Sequence, residues 1–124
     1  MQDEPTPTEL LKAVADFLRN EITPAIKGHN AFKLRVGINA IDLVTRQLTL
    51  AESGDAAEHA RLKQLLGADG SLFDLNRALS ERIAKGEVDL TTPGLSEHLW
   101  QTTMDKLAVD QPNYASYKRE LGSK

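Results

Sequence analysis

An all-α fold, a single-domain bundle of about five helices plus a short C-terminal helix, is predicted for these 124 residues by three observations. Apolar residues recur at three- and four-residue spacing through most of the chain, the period of a helix face. No stretch alternates apolar and polar residues as a half-buried strand does. Helix-start signatures recur along the chain, separated by turns that contain Gly or Pro. Residues 1–5 read as a flexible tail and residues 6–124 as the helical domain.

The first helix opens at Thr6-Pro7-Thr8-Glu9, with Thr6 as N-cap, Pro7 at the first helical position and Glu9 closing a capping box. Leu10, Leu11, Val14, Phe17, Leu18 and Ile22 form its stripe. Pro24 removes a backbone donor, so the helix is expected to run to about Thr23 and a turn to continue to Lys27. Gly28 is the expected stop.

Asn30 is the expected cap of a central helix that ends at Ser53-Gly54. Phe32, Val36, Leu43 and Leu50 fall on one of its flanks, and Leu34, Ile38, Ile41 and Leu48 on another. Apolar flanks on two sides predict neighbours on two sides. Gly37 lies inside this helix, with Ala40 and Val44 on its side. A helix-interior glycine costs about 1 kcal/mol relative to Ala, so close approach of another helix is expected there.

Between the two flanks runs a polar strip, Arg35, Asn39, Asp42 and Arg46, all within roughly 60° of each other on a helix. Two readings are open. In one, Asp42 pairs with Arg46 and Asn39 bridges Arg35 and Asp42, a surface network of about 0.2–0.5 kcal/mol per pair. In the other, the strip contacts a partner, because Arg is the usual residue for interface ion pairs and anion recognition.

Asp55 with Glu58 predicts a separate third helix over about Ala56–Leu66, burying Ala57, Ala60, Leu62, Leu65 and Leu66 and stopping at Gly67. Ser71 with Asp74 caps a fourth, with Leu72, Leu75, Leu79 and Ile83 as its stripe and Gly86 as its end. Glu87–Leu90 is a linker. Thr92-Pro93 opens a fifth helix by the same cap-and-proline rule, with Leu99, Trp100, Thr103, Met104, Leu107 and Ala108 as its buried face. Asp110-Gln111-Pro112-Asn113 breaks it, and Asn113 caps a last short helix from Tyr114 to Leu121. Tyr114 and Tyr117 either pack that helix onto the core or form a contact patch, since Tyr is enriched at interfaces.

Composition narrows the function classes. The net charge is −3 and the pI about 5.6, against the basic face that nucleic-acid binding needs. The chain has no cysteine, which excludes disulfides and thiolate metal sites. The acidic start, Met-Gln-Asp-Glu-Pro, does not read as a signal peptide, and no run of apolar residues is long enough for a membrane span, so the expected location is the cytoplasm. His29, His59 and His98 have no partners at metal-ligand spacing. There is no Gly-rich phosphate loop, no kinase catalytic loop and no nucleophile elbow. No catalytic, cofactor-binding or metal-binding residue is therefore expected.

Four stretches, taken in order, carry a resemblance. They are Leu10-Leu11-Lys12-Ala13-Val14 with Phe17-Leu18-Arg19; Phe32 with Arg35-Val36, Asn39-Ala40 and Arg46; Leu75-Asn76 with Leu79, Ile83 and Gly86; and Lys106-Leu107-Ala108 through Asp110 and Pro112 to Tyr114. Across residues 8–118 the chain resembles a family of small bacterial proteins of formerly unknown function. Its members are encoded beside aminoglycoside-phosphotransferase-like kinases and acyl-CoA-dehydrogenase-like proteins. The resemblance extends to the accessory protein that works with the 4-hydroxyacyl-CoA kinase of levulinate catabolism. Gln47 departs from the acid that the resemblance implies after Arg46. The resemblance implies a non-catalytic accessory subunit with a kinase partner, and Arg35, Asn39, Asp42, Arg46, Tyr114 and Tyr117 are the partner-binding candidates. Two alternatives stand beside it: a self-associating structural or regulatory protein, and an unrecognised enzyme that uses the Arg35–Arg46 strip.

Overall fold

The computed structural model describes residues 4–122, so part of the expected N-terminal tail lies outside the described residues. The fold is all-α, and no strand occurs among the described residues. Its helices are α1 (Pro7–Phe17), α2 (His29–Leu66), α3 (Leu72–Ala84), α4 (Leu95–Asp110) and α5 (Ala115–Gly122). Two compact units are distinguished, one ending at Leu50 and the other beginning at Ala51.

In the first unit, α1 starts as its sequence predicts. The Thr6 hydroxyl accepts a 3.2 Å hydrogen bond from the Glu9 amide, with Pro7 in the first turn. The regular helix ends earlier than expected, at Phe17. A π-helical turn, Leu18–Ile22, and a 3₁₀ turn, Thr23–Ala25, follow. The cause lies at Thr23-Pro24. Pro24 has no N–H to donate, and the Thr23 amide and hydroxyl both turn back to the Leu18 carbonyl, the hydroxyl at 3.0 Å. Gly28, at φ 73°, does not end this helix. Its carbonyl accepts from the Ala31 amide at 3.1 Å, so α2 opens from Gly28 rather than from the expected cap Asn30.

The central and third helices of the sequence reading are one helix. Residues 53–55 stay helical, and Asp55 and Glu58 lie inside α2 instead of capping a new start. Neither Ser53 nor Gly54 breaks a helix by itself; glycine weakens one by about 1 kcal/mol, which the surrounding turns outweigh. Gly37 is also corrected: a Cβ there would meet nothing within 4 Å, so no helix backbone packs against it. Of the two apolar flanks, only that of Ile38 is buried, with Leu34 and Ile41 half-buried; Phe32, Val36, Leu43, Leu48 and Leu50 are exposed.

The second unit holds the main core. Leu62 and Leu66 of α2, Leu75 and Leu79 of α3, Val88 of the linker and Leu95 of α4 form one buried cluster, with Leu72 and Ala78 packed against it. The expected interior positions Ala57, Ala60 and Ile83 are exposed. Ser71 caps α3 as predicted, accepting from the Asp74 amide at 3.0 Å, and Gly86, at φ 75°, follows its end. α4 starts later than predicted. The Thr92 hydroxyl accepts from the Asp89 amide in a preceding turn, and Gly94, at φ 87°, takes the cap position without a side-chain hydrogen bond. The buried face of α4 is correspondingly turned: Leu95, His98, Met104 and Val109 are buried, whereas Leu99 and Trp100 are exposed. α5 begins one residue after Tyr114, whose carbonyl accepts from the Lys118 amide at 3.0 Å.

Candidate functional site

The polar strip lies on the first part of α2, and the structure divides it. Asp42 is engaged by Arg19 of the π-helical turn, whose Nη2 donates to its carboxylate at 2.6 Å. Arg19 also reaches Asp16, and Lys12 holds the other oxygen of Asp16 at 2.8 Å, so the four charges run as a chain along one surface. Asp16 ionises below its ordinary value, chiefly because of the Lys12 hydrogen bond. Asn39 does not bridge Arg35 and Asp42. Arg35 and Asn39 are exposed, and among the described residues neither side chain has a hydrogen-bond or ion-pair partner. They line a groove of about 260 Å³ together with Arg19, Thr23 and Ile38. Arg46 is half-buried.

The same unit also exposes several large apolar side chains. Leu10, Val14 and Phe17 of α1 and Phe32, Val36 and Leu43 of α2 are between 38% and 54% exposed.

Tyr114 and Tyr117 belong to the second unit, at the start of α5. Tyr114 is exposed and Tyr117 half-buried, so neither is a core residue.

The second unit also contains a polar cluster absent from the sequence reading. His98 of α4 is 2% exposed, the one buried polar or charged residue beside the apolar core among the described residues. Arg61 of α2 donates from Nε to His98 Nδ1 at 3.1 Å and from Nη2 to the Thr102 hydroxyl at 3.1 Å. Burial, and next the positive charge of Arg61, push the His98 pKa below its ordinary 6.5, while the charge of Glu58 acts in the opposite sense. Glu58 is itself held by Asn76 Nδ2 at 2.8 Å. Arg61 and Glu97 form the wall shared by two open cavities. The larger, about 580 Å³, is also lined by Leu65, Pro93, Gly94 and His98. The smaller, about 500 Å³, also meets Gly54, Gln101 and Asp105. His59, by contrast, makes a 2.7 Å hydrogen bond to the Gly70 carbonyl.

The sequence carried a faint signal for this cluster. Leu95, His98, Thr102, Asp105 and Val109 are three or four residues apart, which is one helix face. Three of the five are polar, so a search by hydropathy selects the more apolar neighbouring face instead. Among the described residues no group of three His, Asp or Glu side chains converges as a metal site, and no helix is long and apolar enough to cross a membrane.

The model of one protein family matches residues 24–114, which take in all of α2, α3 and α4 and end at Tyr114, just before α5. The chain belongs to the family described as a domain of unknown function, DUF6285. Both the Arg35–Arg46 strip and the Arg61–His98 cluster fall inside the matched segment. No curated protein and no solved structure matches the chain.

Proposed function

We propose that this member of the DUF6285 family is a non-catalytic accessory subunit. It docks on an aminoglycoside-phosphotransferase-like kinase acting on 4-hydroxyacyl-CoA esters and supports that kinase in hydroxy-acid catabolism in the cytoplasm. The kinase and its substrate come from the resemblance of residues 8–118. The observation that carries the docking part is the first unit, where the apolar side chains of Leu10, Val14, Phe17, Phe32, Val36 and Leu43 stand open beside the unpartnered Arg35 and Asn39. Exposed phenylalanines and an unpartnered arginine are residue types that interfaces favour. The test is co-purification with the kinase, followed by ATP consumption on 4-hydroxyvaleryl-CoA with and without this chain. The expected result is a stable complex with raised turnover; a kinase that neither binds the chain nor changes its rate rejects the reading.

Self-association through the same face is a second reading. Val36, Leu43 and Leu50 repeat every seven residues and are all exposed, the spacing of a coiled-coil seam. Sedimentation equilibrium of the isolated chain separates the two: a monomer at micromolar concentration leaves the face to a different protein.

A further inference from the structure

Arg61 and His98 are arranged as donors with spare capacity. Arginine only donates, so His98 Nδ1 must accept the 3.1 Å bond from Arg61 Nε, and the neutral ring carries its hydrogen on Nε2. Among the described residues the ring makes no second hydrogen bond. Among the described residues no fully buried side-chain nitrogen or oxygen is left without a partner, and His98 lines the 580 Å³ cavity.

Arg61 has five N–H groups and uses two, on His98 and Thr102, both neutral acceptors. No ion pair engages its charge among the described residues. The guanidinium is thereby fixed in orientation on the cavity wall, with no carboxylate within 4.0 Å among the described residues. The cavity is also bounded by Gly94, where α4 begins with no side-chain cap, so the positive end of a 16-residue helix borders the same space. Opposite in sign, the Glu97 carboxylate shares the wall. Leu65 and Pro93 supply apolar surface, and the volume lies within the usual range for small-molecule sites.

We propose that this cavity binds a small organic anion, its carboxylate or phosphate group on the free N–H groups of Arg61 and on His98 Nε2 and its apolar part against Leu65 and Pro93. The site lies wholly within the second unit and does not depend on the docking face of the first. Glu97 sets its affinity from the same wall by repulsion, so an anion binds more weakly here than the arginine alone allows.

The experiment is titration of the full chain with inorganic phosphate and, separately, with butyrate, at ionic strength held constant with chloride, followed by amide and histidine nitrogen NMR. Saturable shifts confined to residues 94–98 and the His98 ring are expected. Saturation by phosphate alone assigns a phosphoryl ligand, by butyrate alone a carboxylate, and by both a general anion subsite; shifts that match the chloride control in both arms overturn the proposal. Arg61→Gln is expected to weaken binding about tenfold or more, since hydrogen bonds to charged groups are the stronger class. A folded Arg61→Gln protein with unchanged affinity overturns it. Should that variant fail to fold, Glu97→Gln decides: removal of the surface carboxylate is expected to tighten binding about threefold or more. Equal affinity of Glu97→Gln and the parent chain is the contrary result.

Discussion

Arg19 and Asp42, 23 residues apart, meet at 2.6 Å and tie the π-helical turn after α1 to the middle of the polar strip on α2. Both side chains keep substantial exposure, 44% and 35%, so the pair is screened by water and salt. A double-mutant cycle on Arg19→Ala and Asp42→Ala, followed by urea denaturation, is expected to give a coupling below about 1 kcal/mol. A larger coupling would mean that the pair is shielded from solvent.

Gly37 and Gly54 sit inside α2 with open space where a Cβ would be. Neither has positive φ, so alanine adopts the same backbone without strain. Gly37→Ala and Gly54→Ala are each expected to stabilise the chain by about 0.4–1 kcal/mol, mainly by restricting the unfolded state. Thermal melts check both. A destabilised Gly54→Ala protein would show that α2 breaks at the point where the sequence suggests a break.

The sequence was most legible where one local signal had no competitor. Thr6-Pro7 and Ser71 cap helices as expected because the side-chain oxygen, the following acid and the backbone all favour the same geometry. It was least legible where two local signals competed. Thr92-Pro93 has the same cap-and-proline form, yet Gly94 can take φ 87°, which moves the start of α4 and turns its buried face. That turn brings His98 to Arg61, an arrangement fixed by long-range packing and carried by polar residues that hydropathy ranks as surface. In the strip, spacing placed Arg35, Asn39 and Asp42 on one helix face correctly. It could not place Arg19, which arrives through the turn at Thr23-Pro24.

His98 gives the chain a pH dependence of known sign. Burial lowers its folded pKa beneath the ordinary 6.5, so below that pH the unfolded chain binds a proton that the folded chain resists. Stability is therefore full above about pH 6.5, falls as pH decreases, and levels off below the lowered folded value. Melting temperature is expected to drop between pH 7 and pH 5, with a flatter profile for His98→Gln. Equal slopes for the two proteins would show that the ring stays accessible to protons.

The apolar cluster of the second unit separates residues that bear stability from those that do not. Leu62 is fully buried, and Leu62→Ala should destabilise by about 2–5 kcal/mol through lost transfer energy and a residual cavity. Phe73 is one turn position away from the α3 stripe and 75% exposed, so Phe73→Ala is expected to stay within about 0.5 kcal/mol of the parent. Chemical denaturation of the two variants checks the assignment of the α3 face.

The docking reading separates from a merely solvated surface on one pair of measurements, melting temperature and kinase affinity, made on the same variants. Phe17 and Val36 are about half exposed, so Phe17→Asp or Val36→Asp removes apolar surface without leaving a large internal void. Arg35 and Asn39 have no partner to lose among the described residues, so an Arg35→Ala, Asn39→Ala double variant should melt close to the parent. If the kinase covers this face, the apolar substitutions and the double variant each weaken the complex by about 2 kcal/mol or more, because buried aromatic and arginine anchors dominate interface energetics. Arg46→Ala extends the test to the half-buried end of the strip, where a lowered melting temperature would mark a folding role instead. Unchanged affinity across the series moves the contact to the second unit, where Tyr114 is the exposed aromatic at the start of α5 and Tyr117 lies one turn on.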